Sequence, residues 1–191
     1  MFRMPKNEKC DGPVMRNTIE KISLIWSDQR GVSAIEFAFI AGLLSLGLVN
    51  IADLSIYIYK RLELENATQM GAQAAWKACD LQHIPATTNC PGLLIAVTNA
   101  VHSTSLGTQV SLQAGSPTEG YYCLNSSNTL QYVSNVNTKP ANCSTVGMPD
   151  LQPIDYIKIT TTFDYAPLFP GVTVASMLET KITKTTLMRL N

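Results

Sequence analysis

The chain has 191 residues, of which 46% are hydrophobic, and its 14 basic and 14 acidic side chains leave no net charge. This length suits one modest domain plus an additional segment. From Ile84 to Pro149 the only formal charges are Glu119 and Lys139. Such a stretch offers phosphate groups no basic surface, so we expect no binding to nucleic acid.

The first 31 residues carry six basic and four acidic side chains, a net charge of +2. We predict that residues 1–31 form a cytoplasmic leader. Apolar side chains between Met15 and Trp26 recur on one helical face, which indicates an amphipathic helix at the membrane surface. Cys10 also lies in this leader, and we assign it no role.

The next segment, Val32–Ile51, is apolar and carries a single charge, Glu36. As a helix its 20 residues would span about 30 Å, the thickness of the hydrocarbon core of a bilayer. The basic leader favours an N-terminus on the cytoplasmic side. The alternatives are a buried helix of a soluble protein and a cleavable signal peptide, whose apolar core is usually only about 7–15 residues.

Helical periodicity continues beyond this segment to Cys79, so we predict one helix of roughly 45–50 residues. Its membrane-spanning part is placed at 32–59, because Tyr57 and Tyr59 suit a membrane interface. Residues 60–191 are then an extracytoplasmic domain. The outer part of the helix bears a narrow apolar stripe at three- and four-residue steps: Leu64, Ala67, Met70, Gly71, Ala74, Ala75 and Ala78.

Two features of the apolar segment indicate contacts within the membrane. Ala34, Ala38 and Gly42 are spaced four apart and form a small-residue stripe where another helix can approach, although such stripes are common in transmembrane helices. Glu36 would cost about 2.5–3.5 kcal/mol at the centre of a bilayer. It therefore either has a partner or reaches back to the cytoplasmic interface.

The remaining sequence predicts a second helix and a small sheet. The helix covers about 93–103, and strand-like runs cover about 109–113, 120–124, 130–133, 156–165 and 180–190. In the fourth run Ile157, Ile159 and Thr161 alternate with polar residues, as in a half-buried strand. The sequence therefore predicts an α+β fold in which the long helix packs on a small domain with an antiparallel sheet.

Four cysteines follow the apolar segment, and an even set on one side of a membrane is typical of disulfides in an oxidising compartment. Four free thiols in a cytosolic domain are the alternative. Of the three possible pairings we favour Cys79–Cys90 with Cys123–Cys143, each worth about 3 kcal/mol by the entropy of loop closure. Crossed pairing stays open.

The segment 165–171 reads as an apolar turn stiffened by Pro167 and Pro170. We expect it to be buried between strands, since apolar runs usually fill cores. An exposed turn would instead offer a contact to a neighbouring subunit.

No catalytic constellation is apparent in the sequence. The only histidines, His83 and His102, lack paired carboxylates and make a poor metal set. Phosphate-binding glycine loops and nucleophile elbows are not found either. We therefore predict a protein that is not an enzyme and that uses neither a metal nor a cofactor.

The junction of leader and helix carries the most specific motif, RGVSAIEFAFIAGLL from Arg30 to Leu44. It resembles a prepilin-peptidase site, and more closely the N-terminal signature of TadE-like proteins, which are minor pseudopilins of the Flp/Tad pilus system. Weaker similarities lie near the C-terminus: Tyr121-Tyr122-Cys123, Cys143, Tyr156-Ile157-Lys158-Ile159 and residues 165–171. Where relatives often have proline, this chain has Gly42.

The resemblance implies cleavage between Gly31 and Val32, with Arg30 and Glu36 as recognition or assembly elements. Glycine allows an extended backbone to enter a protease cleft. The implied partners are a prepilin peptidase, other pilin-like subunits and Tad inner-membrane assembly proteins. The implied location is the bacterial inner membrane, with a single span and a periplasmic C-terminal domain; incorporation into the pilus stays open.

Three functional hypotheses follow from this sequence. The first is a minor pseudopilin that is cut after Gly31 and takes part in pilus assembly. The second is an uncleaved single-pass scaffold of a Tad-type secretion complex. The third is a membrane-anchored periplasmic binding module, which would require a concave pocket with convergent polar groups.

Overall fold

The computed structural model describes residues 29–79 and 83–190, with side chains from Gly31 onward. Within these residues the helices are α1 (Gln29–Ala78), α2 (Ala86–Asn89) and α3 (Leu93–His102). The strands are β1 (Val110–Leu112), β2 (Thr118–Leu124), β3 (Leu130–Asn135), β4 (Ile154–Asp164) and β5 (Lys181–Arg189). These elements confirm the predicted α+β fold. The leader up to residue 28, including Cys10, lies outside the described residues.

The described part of the chain divides into two units, with the boundary between Leu48 and Val49. In the described part of the first unit, every side chain from Gly31 to Leu48 is exposed except half-buried Ala41. Helix α1 is apolar enough to cross a membrane, with a mean hydropathy of 2.1 over an 18-residue window of which none is buried. It is compatible with a single-pass membrane anchor.

The second unit is built around β4, the longest strand. One edge of β4 pairs with β5, and the other pairs with β1 along residues 161–163 and with β2 along residues 154–158. Strand β3 pairs with the far side of β2, and all of these pairings are antiparallel. The central strand β4 therefore has β5 along one edge and both β1 and β2 along the other.

One face of this sheet packs on α1. Ile157, Ile159 and Thr161 of β4 are buried and Lys158 is exposed, as the alternation of the sequence predicted. Thr160, which the alternation placed on the polar face with Lys158, is also buried. The hydroxyls of Thr161 and Thr68 of α1 form a buried hydrogen bond. From α1 the core takes Leu64, Ala67, Ala72 and Ala75, while Met70 and Ala78 of the predicted stripe are exposed.

Small side chains on α1 allow α3 to lie close to it. A Cβ atom on Gly71 would lie 2.9 Å from Val101 Cγ2 and 3.4 Å from Val97 Cγ1. Both valines are buried. Glycine is therefore required here for close packing, although it lowers helix propensity by about 1 kcal/mol relative to alanine.

Both cysteine pairs that the sequence favoured lie at bonding distance. The sulfur atoms of Cys79 and Cys90 are 2.09 Å apart, and those of Cys123 and Cys143 are 1.99 Å apart. The first pair connects the end of α1 to the turn before α3. The second connects β2 to the loop that precedes β4.

The expectation that residues 165–171 are buried is wrong for most of the segment. Tyr165 is 6% exposed, but Leu168 is 58% and Phe169 is 44% exposed. The physical reason is that at Leu168 the backbone, rather than the apolar side chain, faces α1. The amide of Leu168 donates to the carboxylate of Asp53 (3.0 Å), which turns the side chain outward.

Candidate functional site

The predicted cleavage site lies in the first turn of α1. Helix α1 begins at Gln29, so the peptide bond between Gly31 and Val32 is helical rather than extended. No heavy atom lies within 4 Å of the point where a Cβ of Gly31 would stand, and Val32 is 58% exposed. The first N–H groups of a helix have no intrahelical acceptor. Extending the bond for a protease would therefore unwind only the terminal turn.

Glu36 lies one helical turn after Val32, and its side chain is exposed. Residues four apart on a helix share a face, so an α-amino group created at Val32 would stand on the same face as Glu36. The side chain of Arg30 lies outside the described part of the structure.

The small-residue stripe is also on the surface of α1. Ala34, Ala38 and Gly42 are exposed, and nothing lies within 4 Å of the Cβ position of Gly42. Helical spacing places the three residues on one face, where the backbone of another helix can approach.

Asp53 is a buried carboxylate on α1 that accepts hydrogen bonds from the segment after β4. Its Oδ1 accepts hydrogen bonds from the Tyr165 hydroxyl (2.8 Å) and the Leu168 amide (3.0 Å), and its Oδ2 accepts one from Thr173 Oγ1. The side chain is 0% exposed. We call these four residues the Asp53 clasp. A carboxylate that accepts three hydrogen bonds offsets its own desolvation and fixes the segment that donates them.

Two further contacts extend the Asp53 clasp along α1. Asn50 Oδ1 accepts a hydrogen bond from the amide of Val174 (2.9 Å), and the rings of Tyr57 and Tyr165 meet edge to face at 5.0 Å. Burial, followed by the Asp53 carboxylate, raises the pKa of Tyr165 to about 12, so this hydroxyl remains a donor at neutral pH. The folded domain thus contacts α1 from Asn50, within the segment 32–59 that the sequence assigned to the membrane.

A second buried carboxyl, Asp155 on β4, has the opposite character. It is 1% exposed, and neither of its side-chain oxygens has a hydrogen-bond partner among the described residues. Burial and the nearby Glu119 carboxylate raise the pKa of Asp155 to about 7. Glu119 accepts hydrogen bonds from the amides of Ala86 (2.9 Å) and Thr87 (2.7 Å) at the start of α2.

Sequence reasoning missed both of these acids. The signal for Asp53 was a carboxylate two residues after an apolar run that ends at Ile51, directly before a helix with a narrow stripe. The signal for Asp155 was its position in β4, two residues before Ile157 on the alternating face that the sequence predicted to be buried. Neither signal predicts which groups surround the acid, because those groups come from segments far away in the chain.

Nothing in the described residues forms a metal site, since no group of three or more His, Cys, Asp or Glu side chains there could hold an ion. His102 Nε2 donates to the carbonyl oxygen of Val110 (3.1 Å). A groove of about 600 Å³ runs beside α1 and is lined in part by Tyr59, Leu62, Glu63, Met70 and Ser105. The Glu63 carboxylate in this groove accepts hydrogen bonds from Ser105 and Lys60, so donors of the protein itself already occupy it.

A family model described as TadE-like protein matches residues 31–73. The match includes the junction from Gly31, the small-residue stripe and the part of α1 that carries Asp53. It supports the TadE-like resemblance of the junction and suggests involvement in Flp/Tad pilus systems. No curated protein and no solved structure matches the chain.

Proposed function

We propose that this chain is a minor pseudopilin of an Flp/Tad pilus system, cut after Gly31 by a prepilin peptidase. The observation that carries the proposal is the TadE-like match, which starts at Gly31 and continues through the apolar helix. The N-terminus lies in the cytoplasm, and the C-terminal domain lies in the periplasm. The anchor is residues 32–49, because the domain contacts α1 from Asn50 onward.

In this proposal the chain acts as a substrate and then as an assembly partner. Arg30 and Glu36 flank the scissile bond and are read by the peptidase or by neighbouring subunits. The exposed helical turn at Gly31 and Val32 can unwind at low cost, because its N–H groups lack intrahelical acceptors. The stripe of Ala34, Ala38 and Gly42 supports close contact with other pilin-like subunits or Tad inner-membrane proteins.

Cleavage would change the electrostatics of the anchor. It replaces the leader by a positive α-amino group on Val32, one turn from Glu36. Inside a bilayer, pairing of these two charges offsets part of the burial cost of each. The pair can form within one chain or between neighbouring chains, and the intermolecular pair would fix the stagger of the subunits.

The first test is the N-terminal residue of the mature protein, measured by mass spectrometry of membranes from cells with and without the prepilin peptidase. We expect a start at Val32 that depends on the peptidase. An intact Met1 in both strains would reject cleavage and favour the uncleaved scaffold. A start beyond Ile51 would reject the membrane anchor and indicate a secreted domain.

The role of Glu36 needs a separate test, because a variant can lose processing or lose assembly. In cells that carry Glu36→Gln, we expect the outer domain to accumulate in folded form while piliation is lost. Ser45→Ala is the matched control, since Ser45 is exposed in the same apolar segment. Normal piliation in the Glu36→Gln strain would show that pilus assembly does not depend on the Glu36 carboxylate.

A further inference from the structure

The loop between β4 and β5 exposes a group of apolar side chains. We call residues 166–178 the apolar loop. No formal charge occurs in it, since the nearest charged residues are Asp164 and Glu179. Its exposed apolar residues are Leu168 (58%), Phe169 (44%), Val172 (58%), Val174 (54%) and Met177 (88%). Such a charge-free cluster on a surface indicates a contact with an apolar partner.

The Asp53 clasp fixes the position of the apolar loop along α1. Leu168 and Thr173 bond to Asp53, and the amide of Val174 bonds to Asn50. Residues 50–53 cover about one turn, or 5 Å, of helix rise. They follow directly on the apolar run that the proposed anchor uses. The apolar loop is therefore attached where the helix would leave the hydrocarbon core and enter the interfacial layer, which is about 5–8 Å thick on each side.

Several backbone amides of the apolar loop donate hydrogen bonds within the protein. The amides of Val172, Ser176 and Leu178 donate to carbonyl groups three residues earlier, each at 3.2 Å. The amide of Val174 and the hydroxyl of Thr173 make the bonds to α1 described above. Because an unsatisfied polar group in lipid costs several kcal/mol, each of these bonds lowers the cost of placing the apolar side chains of the loop in the acyl region.

We propose that the apolar loop inserts into the periplasmic leaflet of the membrane that α1 spans, and so holds the domain against the bilayer surface. This inference rests on the proposed anchor at 32–49. The partner is the acyl and glycerol region rather than the charged head groups, because the loop carries no basic residue. Insertion of the apolar loop is then insensitive to salt and to the fraction of anionic lipid, unlike the binding of a polybasic segment.

The test uses the full chain with Cys10→Ser, so that a thiol-reactive fluorophore labels only an introduced cysteine. The environment-sensitive label is placed at Met177→Cys or, as a second site, at Val172→Cys. The chain is reconstituted one copy per nanodisc in phosphatidylethanolamine and phosphatidylglycerol. Leu44→Cys reports the anchor. Gln73→Cys is the aqueous control, because it is exposed and lies about 30 Å further along α1 than Asp53.

We expect blue-shifted emission and quenching by lipid-attached spin labels at both loop sites and at Leu44, and neither effect at Gln73. A loop label as water-exposed as Gln73, with Leu44 in lipid, would overturn the inference and leave the anchor intact. A water-exposed Leu44 would instead reject the anchor, and the inference with it. A loop label that is shielded only in vesicles holding many copies would assign the loop to a second subunit and also overturn the inference.

Discussion

Removing the carboxylate of Asp53 should loosen the whole segment that follows β4. In Asp53→Ala the donors of Tyr165, Leu168 and Thr173 lose their acceptor in a site with no solvent exposure. A hydrogen bond to a charged group contributes about 1.5–3 kcal/mol. Water entry and relaxation recover part of the sum. We therefore expect the free energy of unfolding to fall by about 3–5 kcal/mol, as for other broken buried networks.

The loss can be measured on the full chain in detergent micelles by guanidinium unfolding, followed by the near-ultraviolet circular dichroism of the tyrosines. Thermal unfolding should shift by roughly 10 °C, given about 2–4 °C per kcal/mol for a domain of this size. Hydrogen exchange adds a local measurement, because the amides of Leu168 and Val174 should lose protection before those of β4.

Two further variants make the Asp53 prediction specific. Asp53→Asn keeps an oxygen for Tyr165 and Leu168 and loses only the acceptor for Thr173, so it should cost about 1–2 kcal/mol. Ser55→Ala, on an exposed part of the same helix, should change stability by less than about 0.5 kcal/mol. If Asp53→Ala costs under about 1 kcal/mol and protection of Leu168 is unchanged, the role assigned to the Asp53 clasp is refuted.

Three further predictions test the second unit. Because the pKa of Asp155 is raised in the folded state, its contribution to stability is greatest at low pH and should fall by about 1 kcal/mol per pH unit as pH rises from 4 to 7. The free energy of unfolding in urea measures this, and equal pH profiles for wild type and Asp155→Asn would contradict it. Gly71→Val should lower the free energy of unfolding by about 2–3 kcal/mol through overpacking against α3; an unchanged free energy of unfolding would contradict it. Replacing Cys123 and Cys143 together by serine should lower the free energy of unfolding by about 3 kcal/mol, because the unfolded chain is no longer closed into a loop with a sequence separation of 20. An unchanged thermal unfolding temperature would mean that the disulfide does not restrict the unfolded chain.

Periodicity in the sequence predicted the two longer helices and the strands, and it missed the four-residue helix α2. Helix α1 was expected to end near Cys79 and ends at Ala78, and α3 was expected at about 93–103 and spans Leu93–His102. Such elements follow local rules, because each is defined by residues three, four or two apart. The five strands were found for the same reason, with bounds that differ by one to a few residues.

The site divides in the same way. The junction motif at Gly31 and Glu36 is contiguous, so the sequence alone was sufficient to suggest it. The Asp53 clasp is not contiguous, since its donors lie 112 to 120 residues further along the chain. The clasp also holds the Leu168 amide against α1 and leaves the Leu168 side chain exposed, contrary to the burial expected for residues 165–171.

The sequence by itself predicted a long apolar helix, a junction at Gly31 that resembles TadE-like proteins, and a small α+β domain with an even set of four cysteines. Each of these depends on composition, spacing or a short motif, and none needs a partner from a distant segment. Only the tertiary structure decided that the domain contacts α1 from Asn50, that Asp53 fixes the apolar loop there, and that Asp155 is buried beside Glu119. Those features depend on which distant groups meet, and a buried polar group is stabilised or destabilised only by the partners that the fold brings to it.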